Sequence, residues 1–330
     1  MPREIARRRA RRLLARAPMV VPVLALLVAT SAAAAQQGPY RGEPTPVAPV
    51  DAPGVPGRMM VWNDPRDIFV PPELRSGVVA VDAGALHSVG LKADGSVHVG
   101  QHQTFRTDLY GEKTVPAEVR GATAVTAGWG HALAVVDGGV VAWGNNWFGQ
   151  TDVPVQARSG VVAVSSFGFH SLALRADGSV VSWGSRDDVP PAARSGVSAI
   201  AAGGDYNLAL KGGGVIAWGN NDHGQTDVPP AARSGVVAIS AGWNTSVALT
   251  AEGRVLAWGN DEFGRATPPP TVSSGIVAID AGWVHNVALT HEGRVIGWGY
   301  AAGNNLAFPP AWSSGVSAIA AHERFTVVLK

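Results

Sequence analysis

Ser234 to Asn260 reads SGVVAISAGWNTSVALTAEGRVLAWGN. Three short runs of β-branched and small apolar residues lie in it: Val236–Ala241, Ser246–Thr250 and Arg254–Trp258. Each is bounded by turn residues, which is how strands joined by tight connections read. Glu252-Gly253 falls between the second and third runs, and its glycine supplies the positive φ that a short hairpin needs. A sheet of three such strands, with one tryptophan and many alanines, has too little apolar volume to bury both faces. The stretch demands neighbours of its own kind.

It has them. SGVVAVDAG begins at Ser76, GATAVTAG at Gly121, SGVVAVSSF at Ser159, SGVSAIAAG at Ser195, SGIVAIDAG at Ser274 and SGVSAIAAH at Ser314. A second marker, an apolar residue two places before Trp-Gly, recurs at Trp143, Trp183, Trp218, Trp258 and Trp298, with Val99 in its place in an irregular unit. The hairpin signal recurs at Asp94-Gly95, Asp137-Gly138, Asp177-Gly178, Gly212-Gly213 and Glu292-Gly293. A period of about 40 residues is that of propellers and solenoids, whose units bury their faces by stacking. Closing the stack hides its ends.

Closure is legible too. The final unit, Ser314–Lys330, has two strands and no Trp-bearing third, while Met59-Met60-Val61-Trp62 carries that missing pattern near the other end. Proline pairs such as Pro229-Pro230 remove ladder donors and argue against a full fourth strand. The prediction is an all-β, seven-bladed β-propeller of mainly three-stranded antiparallel blades, closed by an N-terminal strand on the C-terminal blade.

The remaining chain frames this domain. Residues 1–35 carry seven arginines, an apolar run from Met19 to Ala29 and small residues before Gln36, the layout of a cleavable signal peptide. The run is short for a membrane span. Residues 36–58 are Pro-rich and expected to be a linker, which leaves 59–330 for the propeller. The chain has 26 Lys+Arg against 25 Asp+Glu; without the seven arginines and one acid of residues 1–35 it has 19 against 24, a net charge of −5. An acidic domain is a poor partner for nucleic acid. With no cysteine, disulfides and thiolate metal sites are excluded. The expected molecule is a secreted or periplasmic monomer that neither binds nucleic acid nor stays at a membrane after cleavage.

Phe169-His170-Ser171-Leu172-Ala173-Leu174 and Val215–Gln225 (VIAWGNNDHGQ) resemble the regulator of chromosome condensation repeat family. Within it, the short unit, the VPPAARSG connector (Val228–Gly235) and the split last blade are most similar to the β-lactamase inhibitor protein II type. That resemblance implies a secreted binder of class A β-lactamases or another enzyme, held on one face of the ring. Inhibitors of this type commonly carry an aromatic at the second position of the first loop. Only Phe169 keeps that phase; Trp129, Trp243 and Trp283 stand one place earlier.

In each unit the loop after the first strand and the loop after Trp-Gly must share one face, with the hairpins on the other. The hairpin tips barely change between units, whereas the loops vary. They present Trp129, Trp147, Phe148, Phe169, Asp205, Asp222, Trp243, Glu262, Phe263, Trp283 and Tyr300, aromatics among acids as protein-binding hot spots are. This is the expected protein-binding face. Phe105 and Tyr110 of the irregular stretch Val99–Val119 would extend it or fill an insertion.

His87, His131, His170 and His285 share one repeat position, filled by Tyr206, Thr245 and Phe325 elsewhere. One per blade, they are spread round the circle and cannot converge on a metal; each is expected to hold local backbone. No catalytic residue, metal or cofactor is assigned. The competing reading is a lyase or hydrolase working near the central channel, which would need His and Asp/Glu gathered on the axis. A nuclear exchange-factor or chromatin role, as in eukaryotic members, is opposed by the export signal and the acidic charge.

Overall fold

The computed structural model describes residues 57–62, 68–102, 108–300, 306–323 and 325–330. The signal segment 1–35, the linker as far as Pro56, Phe105 and Arg324 lie outside the described residues.

Two strands, β1 (Met59–Trp62) and β2 (Ile68–Phe69), precede the first repeat. Blade 1 is β3 (Val78–Ala83), β4 (His87–Lys92) and β5 (Val97–His102). Blade 2 is β6 (Ala124–Ala127), β7 (His131–Val136) and β8 (Gly139–Gly144). Blade 3 is β9 (Val161–Ser166), β10 (His170–Arg175) and β11 (Val180–Gly184). Blade 4 is β12 (Ala199–Ala202), β13 (Tyr206–Lys211) and β14 (Gly214–Gly219). Blade 5 is β15 (Val236–Ala241), β16 (Thr245–Thr250) and β17 (Val255–Gly259). Blade 6 is β18 (Ile276–Ala281), β19 (His285–Thr290) and β20 (Val295–Gly299). Blade 7 is β21 (Ala318–His322), β22 (Phe325–Leu329) and the distant β1. Every pairing is antiparallel, and the first strands touch one another in succession right round the ring. They line the axis. This is the expected seven-bladed β-propeller.

Closure follows the predicted route. Met59 lies opposite Leu329 and Trp62 opposite Thr326. The pairing runs beyond β1: Arg58 and Lys330 exchange both backbone hydrogen bonds, and Gly57 does the same with Val78 of blade 1. Successive residues of β1 face opposite ways, as strand geometry requires. Met59 and Val61 pack into the seam between blades 7 and 1, Met60 and Trp62 into that between blades 6 and 7.

The seams are the core. The apolar clusters fall between blades, one for each neighbouring pair, and each mixes residues of two blades. After the third strand the prolines start a short 3-10 turn instead of a strand, as at Pro191–Ala193 and Pro230–Ala232. One residue of each turn plugs a seam: Leu74, Ala157, Ala193, Ala232, Val272 and Trp312 are all buried. Among the described residues, blade 1 alone has a fourth strand, because β2 pairs with β5 at its rim.

Candidate binding face

Backbone pairing puts both loops of a blade together. Thr245 lies opposite Gly259, and Asn260 N donates to Asn244 O at 2.8 Å; Asn145 to Gly130, Ser185 to Phe169, Asn220 to Asp205 and Tyr300 to Val284 repeat this contact. The hairpins sit at the far end of the strands, with their glycines at positive φ. The two faces of the ring are therefore distinct surfaces, as the sequence implied.

The loops are tied to the next blade. Indole Nε1 of Trp143, Trp183, Trp258 and Trp298 donates to the carbonyls of Glu112, Gln150, Gln225 and Arg265, which belong to the preceding loops, at 3.1, 2.9, 3.0 and 2.9 Å. Ser171 Oγ and Ser246 Oγ reach the same carbonyls of Gln150 and Gln225. Inside each loop, Gln150 and Gln225 amides and the Arg265 guanidinium bond Asn145, Asn220 and Asn260 Oδ1 at 2.7 Å. The repeated tryptophan thus fills a seam and fastens a loop across it.

The histidines belong to this fastening, and the expectation that they hold local backbone is corrected. His131 Nε2 lies 3.1 Å from Ser171 Oγ, His170 Nε2 2.7 Å from Asn207 Oδ1 and His285 Nε2 3.0 Å from Thr326 Oγ1. Each partner is on the second strand of the following blade. In blade 4, Tyr206 Oη takes the position and donates to Thr245 O. Burial pushes the imidazoles of His131 and His285 down to about 3 and about 4, and that of His170 down as well. They are neutral at physiological pH. Among the described residues no group of three His, Cys, Asp or Glu is placed to hold a metal.

On this frame the predicted residues gather in sectors. Trp129 contacts Phe169 (ring centroids 5.2 Å), Trp147 (6.2 Å) and Tyr110 (5.9 Å), while Phe148 contacts Phe169 (5.1 Å). Tyr110 meets Trp147 edge-on at 5.0 Å, so Tyr110 extends the face and does not fill an insertion. Trp129 and Phe169 are half-buried supports; Trp147 and Phe148 stand out, 66% and 52% exposed. On blades 5 and 6, Trp243 stacks on Trp283 at 4.6 Å and Phe263 meets Tyr300 at 4.6 Å. Phe263 is 51% exposed and sits at φ 65°, a left-handed backbone that a bulky residue seldom adopts. Blade 4 separates the two sectors with Gly204 and Asp205. A Cβ at Gly204 would meet the Trp243 indole at 3.1 Å, so glycine lets that ring lean over the neighbouring loop. Asp205, Asp222 and Glu262 are exposed. Asp222 accepts from Asn220 Nδ2 at 2.8 Å, and Glu262 lies 3.7 Å from Arg265.

The axis holds titratable groups that the sequence reading passed over. Asp82 and Asp280 project from the first strands of blades 1 and 6 and are buried. Asp82 accepts from Thr126 Oγ1 at 2.8 Å and Ala127 N at 3.0 Å; Asp280 accepts from Ser240 Oγ at 2.8 Å and Ala321 N at 2.7 Å. Burial, and for Asp82 the charge of Asp280, push them up to about 8 and about 7. Phe167 of blade 3 and His322 of blade 7 stack at 4.4 Å and 25°, and both are buried. Where these two stand, the other repeats end in Gly84, Gly128, Gly203, Gly242 and Gly282. The departures SSF and AAH were the visible signal. A His and two acids do lie near the axis, but the His is stacked on Phe167 and the acids are bonded to neighbouring blades.

This architecture defines the class: a seven-bladed propeller whose rim of loops varies on a constant scaffold. Residues 236–265, which take in most of the stretch quoted at the outset, match the family model of the regulator of chromosome condensation (RCC1) repeat. Yeast RCC1 (Prp20), solved bound to Kap60, superposes with a TM-score of 0.64 at 15% identity over 88% of this chain and 95% of its own. Prp20p of Saccharomyces cerevisiae, solved in a study of its binding to Gsp1p and histones, gives 0.63 at 15% identity over 83% and 91%. Human WBSCR16 gives 0.59 at 19% identity over 76% and 86%. At these identities the likeness is one of fold. No curated protein sequence matches the chain.

Proposed function

We propose that this chain is an exported, non-enzymatic propeller that holds another protein against its loop face. The observation that carries the reading is the contiguous cluster of Tyr110, Trp129, Trp147, Phe148 and Phe169, with its two outermost rings in solvent. Exposed apolar residues are ordinary when scattered; a contiguous aromatic patch on fastened loops marks an interaction surface. Fixed loops also lose little freedom on binding, which favours affinity. Yeast Prp20, of the same fold, was solved with Kap60 as partner. Export rests on the signal-peptide layout of residues 1–35, and a class A β-lactamase or another secreted enzyme is the partner that the repeat resemblance suggests.

The test is capture from culture medium or periplasm on the mature chain, with inhibition assays on a panel of class A β-lactamases. Trp147→Ala, Trp129→Ala, Trp243→Ala and Trp283→Ala should each weaken capture by about 30-fold, the scale of a hot-spot loss near 2 kcal/mol. Absence of inhibition across the panel removes the β-lactamase version. Equal capture by Trp147→Ala and wild type removes the loop face.

A further inference from the structure

Charge is unevenly divided between the two faces. The loop rim exposes Asp187, Asp188, Asp205, Asp222 and Glu262. Its described cations are few: Arg265 is buried, donating to Trp283 O, Glu262 O and Asn260 Oδ1, Lys113 lies 3.7 Å from Glu112, and the part-exposed Arg186 stands beside Asp187 and Asp188 in the chain. The opposite face carries the hairpin-tip acids Asp94, Asp137, Asp177, Glu252 and Glu292 but a larger number of cations. Arg75, Arg158, Arg194 and Arg233 end the connector turns there, exposed, and Lys211 and Lys330 lie along the same rim with their ammonium groups on carbonyls of those turns. Among the described residues the balance is acidic on the loop rim and cationic on the hairpin side.

From this segregation we infer that the partner's docking element is a protein loop carrying both cationic and apolar side chains, set with its apolar residues on the Trp147–Phe148 cluster and its cations toward Asp187, Asp188, Asp205 and Asp222. This rests on the binding reading above and adds the chemistry of the partner. Aromatic rings offer a cation their negative faces, so the two halves of the surface favour the same ligand. Rim charges act mainly on the rate of encounter and fade with salt.

The probe is a phage-displayed library of disulfide-closed peptide loops, selected on the immobilised full chain and, in parallel, on Trp147→Ala/Phe148→Ala and Asp187→Asn/Asp188→Asn/Asp205→Asn/Asp222→Asn variants whose melting matches wild type. The expected result is enrichment of net-positive loops with an aromatic or aliphatic residue on wild type only. Their affinity should fall about tenfold or more between about 50 and about 500 mM NaCl, and by a similar factor in the acid-depleted variant. Loops that need Trp147 and Phe148 but are neutral or acidic, or ignore salt, overturn the cationic partner and leave the binding face standing. Identical selections from wild type and the aromatic-depleted variant overturn both.

Discussion

Asp82 is a carboxyl buried at the axis and acted on by the charge of a second buried acid, Asp280. When unfolded it releases its proton near 3.8, whereas the folded protein holds the proton up to about 8. Between those values folding takes up a proton, so stability is greatest in acid and declines as pH rises through the window. Asp82→Asn keeps an oxygen for Thr126 and Ala127 without the charge. Its melting temperature should match wild type below about pH 4 and exceed it by a growing margin up to about pH 8; a constant offset across that range would show that the proton is not the cause. Indole hydrogen bonds are the other residue-scale test. Trp258→Phe keeps most of the ring but loses the 3.0 Å bond to Gln225 O, at a cost of about 1 kcal/mol in chemical denaturation. At this scale sequence reading identified Trp258 as a repeat marker but not its bond, because nothing in a run of letters says which carbonyl an indole will face.

Elements were more legible than contacts. The hairpin pairs, strand lengths and proline turns all followed from residues adjacent in sequence, where turn chemistry and alternation act locally. Blade 1's extra strand β2 was missed since two residues, Ile68 and Phe69, make no pattern. The stacking of Phe167 on His322 was missed because it joins the ends of β9 and β21, blades far apart in the chain. Phe167→Gly would restore the residue that most repeats carry. The loss of a buried ring should destabilise the protein by about 3 kcal/mol, seen as a lower denaturation midpoint. A neutral effect would mean that the axis repacks without it.

For the whole molecule the decisive contact is β1 on β22. Deleting residues 1–62 strips Met59, Met60, Val61 and Trp62 from two seams. Met59 is buried and Met60, Val61 and Trp62 are half-buried; at about 1.5 kcal/mol or more for a fully buried side chain and less for the others, the loss is a large share of the net stability of a domain. The expected product is aggregated or lacks a cooperative melt, while deletion of residues 1–56 leaves the melt unchanged. A well-folded product of the longer deletion would show that the ring does not depend on its clasp. The loop face is the opposite case: its residues were named from the sequence as loop positions, yet their grouping into a five-ring sector, a stacked tryptophan pair and an intervening acidic blade came from the curvature of the ring.

Repetition itself settled the architecture, since seven weak units with apolar faces can satisfy one another only by stacking and closing, and a displaced third strand tells where the circle joins. Only the folded ring decided what its interior and rim contain. Side chains some 40 residues apart in sequence become neighbours across a seam, and those half a chain apart meet at the axis. Bonds such as His170 to Asn207 and the action of Asp280 on Asp82 depend on distances that arise once the blades are fixed side by side.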